Sequence, residues 1–229
     1  MQIRNVAALV CFIGLCSASR GTPALLAQTA AGSEPKTDSL QRLMEGNRRY
    51  AAGRASHPNG TIGRRAELAN MQQPFAVVFG CVDSRVPPEL ILDQGLGDLL
   101  VIRSAGEVLD GAVLASLEFG VELLKSPLLV VMGHERCGAV GGTIDVLNRN
   151  ATLPGQLKLL VEGIRPAVEK ARGSAGDLVD QTVRAQVELT VQRLRKSPLL
   201  AEHISRGALR IVGIRYDLDT GLIEVTVPE

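Results

Sequence analysis

Tryptophan is absent from these 229 residues, aromatics make up 3%, and there are four Cys and three His. A core short of aromatics must rest on Val, Leu, Ile and Ala. Basic runs interleaved with aromatics are missing too, and the formal net charge is +1. That balance excludes the electrostatic footprint of a nucleic-acid or anionic-membrane binder. The longest apolar run, Val6 to about Ala18, falls short of the roughly 18–20 residues that span a bilayer. "GLGDLL" has no third glycine where a dinucleotide fingerprint needs one, and "GAVGG" has no following Lys-Ser or Lys-Thr to make a phosphate loop.

What is present begins with the first thirty residues. Arg4, the apolar run and the small polar stretch after it have the layout of a secretory signal, with a small-x-small cleavage site near Leu25-Leu26-Ala27. No Arg pair precedes the run, so twin-arginine export is disfavoured. The expected division is a signal peptide at 1–28, a linker at 29–37 and one catalytic domain at 38–229. Export would place the protein in the periplasm or outside the cell, with no membrane association once mature. Without its signal the chain keeps two cysteines, Cys81 and Cys137. In an oxidising compartment two such thiols commonly pair, so a disulfide is the competing reading of the same residues.

Hydrophobic spacing predicts a helix over 38–53, with Thr37 or Asp38 as cap and Leu40, Leu43, Met44, Asn47 and Tyr50 on one face. Helix is also expected from about Arg64, over 113–125, and in a long segment carrying Val183, Val187, Val191 and Leu194. Unbroken apolar runs at 74–81, 98–103 and 126–134 read as buried strands, and residues 208–227 as a hairpin around "DLDTG". Strands alternating with helices imply an α/β fold: a mostly parallel sheet flanked by helices, closed by one antiparallel hairpin strand. Ligands in such sheets sit at the carboxyl ends of the strands. Cys81 ends one run and His134 another, so sequence distance is no obstacle to a shared site.

"GCVDSRVPPE" and "GHERCGAV" carry the chemistry. Two thiolates and an imidazole with a fourth position left for water form a catalytic zinc pattern. Asp83 and Arg85, two apart on an extended turn, point to one side and can form a bidentate ion pair. An Asp so held stays ionised and can orient a metal-bound water. Gly138, beside Cys137, leaves the backbone open next to the metal.

With these motifs in order, the chain resembles the β-class carbonic anhydrases, whose marks are C-x-D-S-R and H-x-x-C. The resemblance runs from about residue 38 to 229 and includes "LQRLMEGNRRY", "GDLLVIRSAG" and "GHERCG". It implies Zn2+ on Cys81, His134 and Cys137, the Asp83–Arg85 dyad beside it, and reversible hydration of carbon dioxide to bicarbonate and a proton. It further implies a bicarbonate contact at Gln72, an apolar pocket wall at Ala105, and a homodimer or homotetramer in which the first helix packs on the neighbour. A carbon dioxide analogue such as carbon disulfide, hydrolysed on the same fold, is an alternative, as is a non-enzymatic zinc or disulfide protein.

The departures matter as well. One branch of the family has a Trp at the position of Val78, part of an inhibitory bicarbonate pocket to which Arg103 is also linked; its absence predicts an open fourth zinc position. Glu107 stands where Asn is frequent, and is expected to be solvated. His57 and His203 are expected at the surface, which would leave proton removal to buffer.

Overall fold

The structure is a computed structural model that describes residues 36–229. The expected signal peptide and most of the linker lie outside the described residues. Helix α1 (Lys36–Ala51) takes in the last two residues of that linker, a boundary difference of the usual size.

Five strands form one sheet: β1 (Ala76–Cys81), β2 (Leu99–Ser104), β3 (Leu128–His134), β4 (Arg210–Tyr216) and β5 (Ile223–Val227). Their order is β2-β1-β3-β4-β5, with the first four parallel and β5 antiparallel. Every residue of β1 and β3 is buried, as expected of central parallel strands covered on both faces. From β1 the chain first moves to one side, to β2, and then returns to β1's other side, to β3. The sheet therefore reverses direction between β1 and β3, the kind of place where α/β folds leave a crevice at their carboxyl ends.

Val77, Phe79, Leu129 and Val131 face one apolar layer, with Leu117 of α4 (Gly111–Glu122), Val187 and Val191 of α7 (Leu178–Arg195), and Leu200 of α8 (Pro198–Ser205). Ala76, Val78, Val130 and Met132 face the other, with Leu43 of α1, Ile91 of the short α3 (Pro88–Ile91), Val140 of α5 (Gly138–Arg149) and Ile164 of α6 (Leu157–Ala171). A six-residue helix, α2 (Ile62–Glu67), is capped by Thr61. The spacing argument leaves 138–177 unassigned, yet these residues build the whole of α5 and α6. Three glycines at 138, 141 and 142 and Pro166 inside α6 lower helix propensity there, and tertiary packing overrides them.

The predicted face of α1 is the one buried, but within its own chain. Leu43 is wholly inside, and Leu40, Met44 and Tyr50 pack against the same core. That face is therefore occupied within the chain itself, and any contact of the helix with a neighbour would use its other faces. Gly46 permits the approach, since a Cβ there would stand 1.9 Å from the Leu92 carbonyl oxygen. Asn47 closes the contact: its amide donates to the carbonyls of Ile91 at 3.1 Å and Gly221 at 2.8 Å, and its oxygen accepts from Ile223 N–H at 2.9 Å. One buried side chain thus ties α1 to α3 and to the β4–β5 hairpin. Replacing Asn47 by Ala strands those groups, and urea unfolding is expected to show a loss of about 2–4 kcal/mol.

Candidate metal centre

β1 and β3 are neighbours in register, Gly80 opposite Met132, so their carboxyl ends bring Cys81 and His134 together. Cys137 stands at the N-cap of α5, after a tight turn in which Arg136 adopts φ +50°. The three ligating atoms lie within 4.8 Å of one another and all three residues are buried. Cys81 Sγ and Cys137 Sγ are 4.0 Å apart and the thiols are free, so the disulfide alternative is not the arrangement seen. Two sulfurs, each about 2.3 Å from a tetrahedral zinc, would stand about 3.8 Å apart.

The imidazole is prepared for a cation. His134 Nδ1 is 2.9 Å from the Glu135 carbonyl oxygen. A carbonyl only accepts, so Nδ1 carries the proton and Nε2 presents its lone pair. That Nε2 is buried without a hydrogen-bond partner. An orphaned acceptor costs stability unless something occupies its lone pair, and beside two sulfurs a soft-tolerant cation such as zinc fits it.

Their mutual hydrogen bond separates the acidities of the two sulfurs. Cys81 is the acidic partner: its hydrogen bond with Cys137 lowers it most, and the Gly106 N–H, 3.3 Å from Cys81 Sγ, adds to the effect. The same bond and burial push Cys137 up. Gly106 was not singled out from sequence. Its φ of +61° and the 2.7 Å that would separate a Cβ from Ile164 Cδ1 show why only glycine brings this N–H to the sulfur.

Asp83 and Arg85 pair as their spacing predicts. Arg85 Nε donates to Oδ1 at 3.0 Å, Nη2 to Oδ2 at 2.8 Å, and the Arg85 N–H also reaches Oδ1 at 2.9 Å. These bonds, the guanidinium foremost, bring Asp83 down to about 2. Its Oδ2 lies 3.8 Å from His134 Nε2, beside the place a metal ligand would occupy. Arg85 Nη2 also donates to the Arg136 carbonyl at 3.1 Å, and Arg136 pairs in turn with Asp219 of the hairpin. The second carboxylate cluster, Glu135 with Asp217 and Asp219, faces Arg136 and Arg215 and is explained by them.

Of the remaining candidates, Ala105 is half-buried at the start of a 3-10 turn (Ala105–Glu107) that follows β2, next to the Gly106 contact. Gly138 is exposed, with open space where a Cβ would be. Gln72 is exposed ahead of β1, the strand whose far end carries Cys81. Five strand steps, about 16 Å, separate the two strand ends, so one chain does not bring Gln72 to its own cluster. His57 is exposed as expected. His203 is not: it is 6% exposed on α8, with Nε2 2.6 Å from Glu122 of α4, because α8 packs on α4.

Glu107 requires the largest correction. Instead of being solvated it is 1% exposed, at φ +50°, with Oε1 lacking any partner among the described residues. Burial, and then the charge of Cys81, raise its carboxyl well above the usual range. The folded state therefore holds a proton that the unfolded chain releases, so this site destabilises increasingly as pH rises above the ordinary carboxyl value. Glu107→Gln is expected to raise the melting temperature at pH 8, by about 2–4 °C for each kcal/mol gained, and to leave it nearly unchanged at pH 4. Parallel thermal melts at the two pH values check this.

The comparisons with known proteins agree with this geometry. Residues 76–223 match the carbonic anhydrase family. The chain is 46% identical over 181 residues to carbonic anhydrase 2 of Mycobacterium tuberculosis, covering 78% of this chain and 87% of that one. Its fold superposes on the β-carbonic anhydrase CcaA with a TM-score of 0.64 at 26% identity, over 82% of this chain and 99% of the other. It superposes on the tetrameric β-carbonic anhydrases of the ascomycete Sordaria macrospora at 0.65 and 23%, over 82% and 96%.

Proposed function

The chain belongs to the β-class carbonic anhydrases, and we infer that it is a zinc lyase that hydrates carbon dioxide reversibly to bicarbonate and a proton. The observation that carries this reading is the buried convergence of Cys81, His134 and Cys137 beside an ion-paired Asp83. Zinc at these three residues supplies a Lewis-acid centre that ionises water near neutral pH.

The chain's own groups do the positioning. Asp83, lowered to about 2, remains a carboxylate throughout the physiological range and can only accept hydrogen bonds. Fixed by both Arg85 bonds, it is placed to accept a hydrogen bond from the nucleophile, which would aim the nucleophile's lone pair at carbon. Orientation of this kind converts a diffuse encounter into a near-attack arrangement. Because both Asp83 oxygens accept from Arg85, the carboxylate is held as an acceptor rather than a fourth ligand, which favours an open fourth position. Val78 is wholly buried in the core, which fits the same reading. Ala105 and Gly138, neighbours in the chain of Gly106 and Cys137, are the residues we assign to the wall along which carbon dioxide would approach. With His57 on an exposed loop and His203 bonded to Glu122, the released proton passes to buffer.

Stopped-flow carbon dioxide hydration with zinc assayed on the same sample tests this. Cys137→Ser is expected to lose both zinc and activity. Asp83→Asn is expected to keep zinc while kcat falls about 10–100-fold. Hydration that survives Cys137→Ser at full rate would overturn the reading.

We further propose that residues 1–28 direct export to the periplasm or beyond, and that the mature protein is a homodimer or homotetramer. The layout of the first thirty residues supports export. Exposed Leu90 and Leu96, which line one surface cleft with Leu99, supply apolar surface of the kind that interfaces cover. N-terminal sequencing of protein from the periplasmic fraction should find a start near residue 28, and sedimentation equilibrium of that sample should give two or four chains.

A further inference from the structure

Strict alternation along β1 does not account for Cys81. Ala76 and Val78 face the layer of α1, α3, α5 and α6, while Val77 and Phe79 face the opposite layer. Gly80 continues the alternation, since a Cβ there would meet Met132 of the first layer at 3.3 Å. Cys81 should then point to the second layer. It lies instead in the first, with Met132 and Cys137. Something rotates the end of β1 and holds it rotated.

The sheet itself does little of this. Pairing with β2 ends at Cys81 opposite Ser104, and the one further main-chain bond is the 3.3 Å contact of Val82 N–H with Ser104 O. Val82 is already half exposed. At this point Arg103 of β2, half-buried and opposite Gly80, reaches across. Its Nε donates to the Cys81 carbonyl at 2.7 Å and its Nη2 to the Asp83 carbonyl at 2.6 Å. Both bonds are short and charge-assisted, and the two donors come from one rigid planar fork. Two carbonyls on either side of Val82 are thereby fixed relative to each other and to β2. One belongs to the residue that supplies a sulfur and the other to the residue that supplies the orienting carboxylate.

We propose that Arg103 is a positioning residue for the metal centre: by clasping the carbonyls of Cys81 and Asp83 it turns the Cys81 sulfur to the face that holds His134 and Cys137, and aims the Asp83 carboxylate at the same point. This rests on the zinc reading above. It also gives Arg103 a role other than lining an anion pocket. The guanidinium acts through the main chain, and a point-charge ammonium on a flexible stem cannot hold both carbonyls in that fixed geometry.

The test compares wild type with Arg103→Met, Arg103→Lys and Leu200→Ala. The last lowers stability from α8 without touching the site. Zinc affinity by chelator competition, melting temperature and the split between kcat and KM are read for each. Arg103→Met is expected to weaken zinc about 10–100-fold and to lower kcat with KM little changed. Arg103→Lys is expected to restore less than half of the logarithmic loss in zinc affinity. Leu200→Ala is expected to keep wild-type affinity despite a lower melting temperature. The proposal is overturned by wild-type zinc affinity in Arg103→Met, by full rescue in Arg103→Lys, or by equal weakening in Leu200→Ala. Should Arg103→Met fail to fold, Lys against Leu200→Ala decides on the same criteria. Wild type that binds no zinc in this titration sinks the zinc reading itself, a result distinct from any of the others.

Discussion

Two sulfurs and one imidazole nitrogen, all buried, are held within 4.8 Å of one another, and His134 Nε2 has no protein partner there. Leaving such groups unsatisfied inside a protein costs free energy. The surrounding structure must therefore resist their drifting apart or turning to other partners. Adjacent parallel strands supply the first two ligands, because strands in register end at the same level. The third comes from a turn into α5 whose backbone Arg136 holds in a left-handed conformation. Neither strand could shift its register without sending its last residue to the wrong face.

Charge is arranged around this cluster with opposite signs in defined places. Arg85 fixes Asp83 and reaches the Arg136 carbonyl; Arg103 fixes the main chain beneath Cys81 and Asp83. Arg136 carries the connection outward to Asp219, so the β4–β5 hairpin braces the loop that bears two of the three ligands. Glu107 is the exception. Its Oε1 is unpartnered among the described residues, in a left-handed turn, and burial and then the charge of Cys81 push its carboxyl well up, opposing a further negative charge near that sulfur.

Much of this was legible from the residues. Unbroken apolar runs located β1 and β3, because strands covered on both faces leave a continuous signal; the run at 98–103 located β2 too, but as an edge strand it is half-buried rather than buried. The Asp83–Arg85 pair followed from a spacing of two on extended backbone. Other features leave no such trace. Helices α5 and α6 hide behind Gly138, Gly141, Gly142 and Pro166, where packing overrules local preference. Gly106 looks like any loop glycine until the sulfur is placed beside its N–H. Glu107 and His203 read as surface residues, since a single charged or polar side chain does not reveal what folds over it. Arg103 bonds to carbonyls, and no side-chain pattern encodes a main-chain acceptor.

Zinc K-edge X-ray absorption on the mature protein, purified under reducing conditions and loaded with the metal, tests the central claim most directly. The account predicts a shell of two sulfurs at about 2.3 Å and one nitrogen at about 2.0 Å, completed by a light atom that exchanges with solvent. A shell of four protein ligands, or one without sulfur, would contradict it.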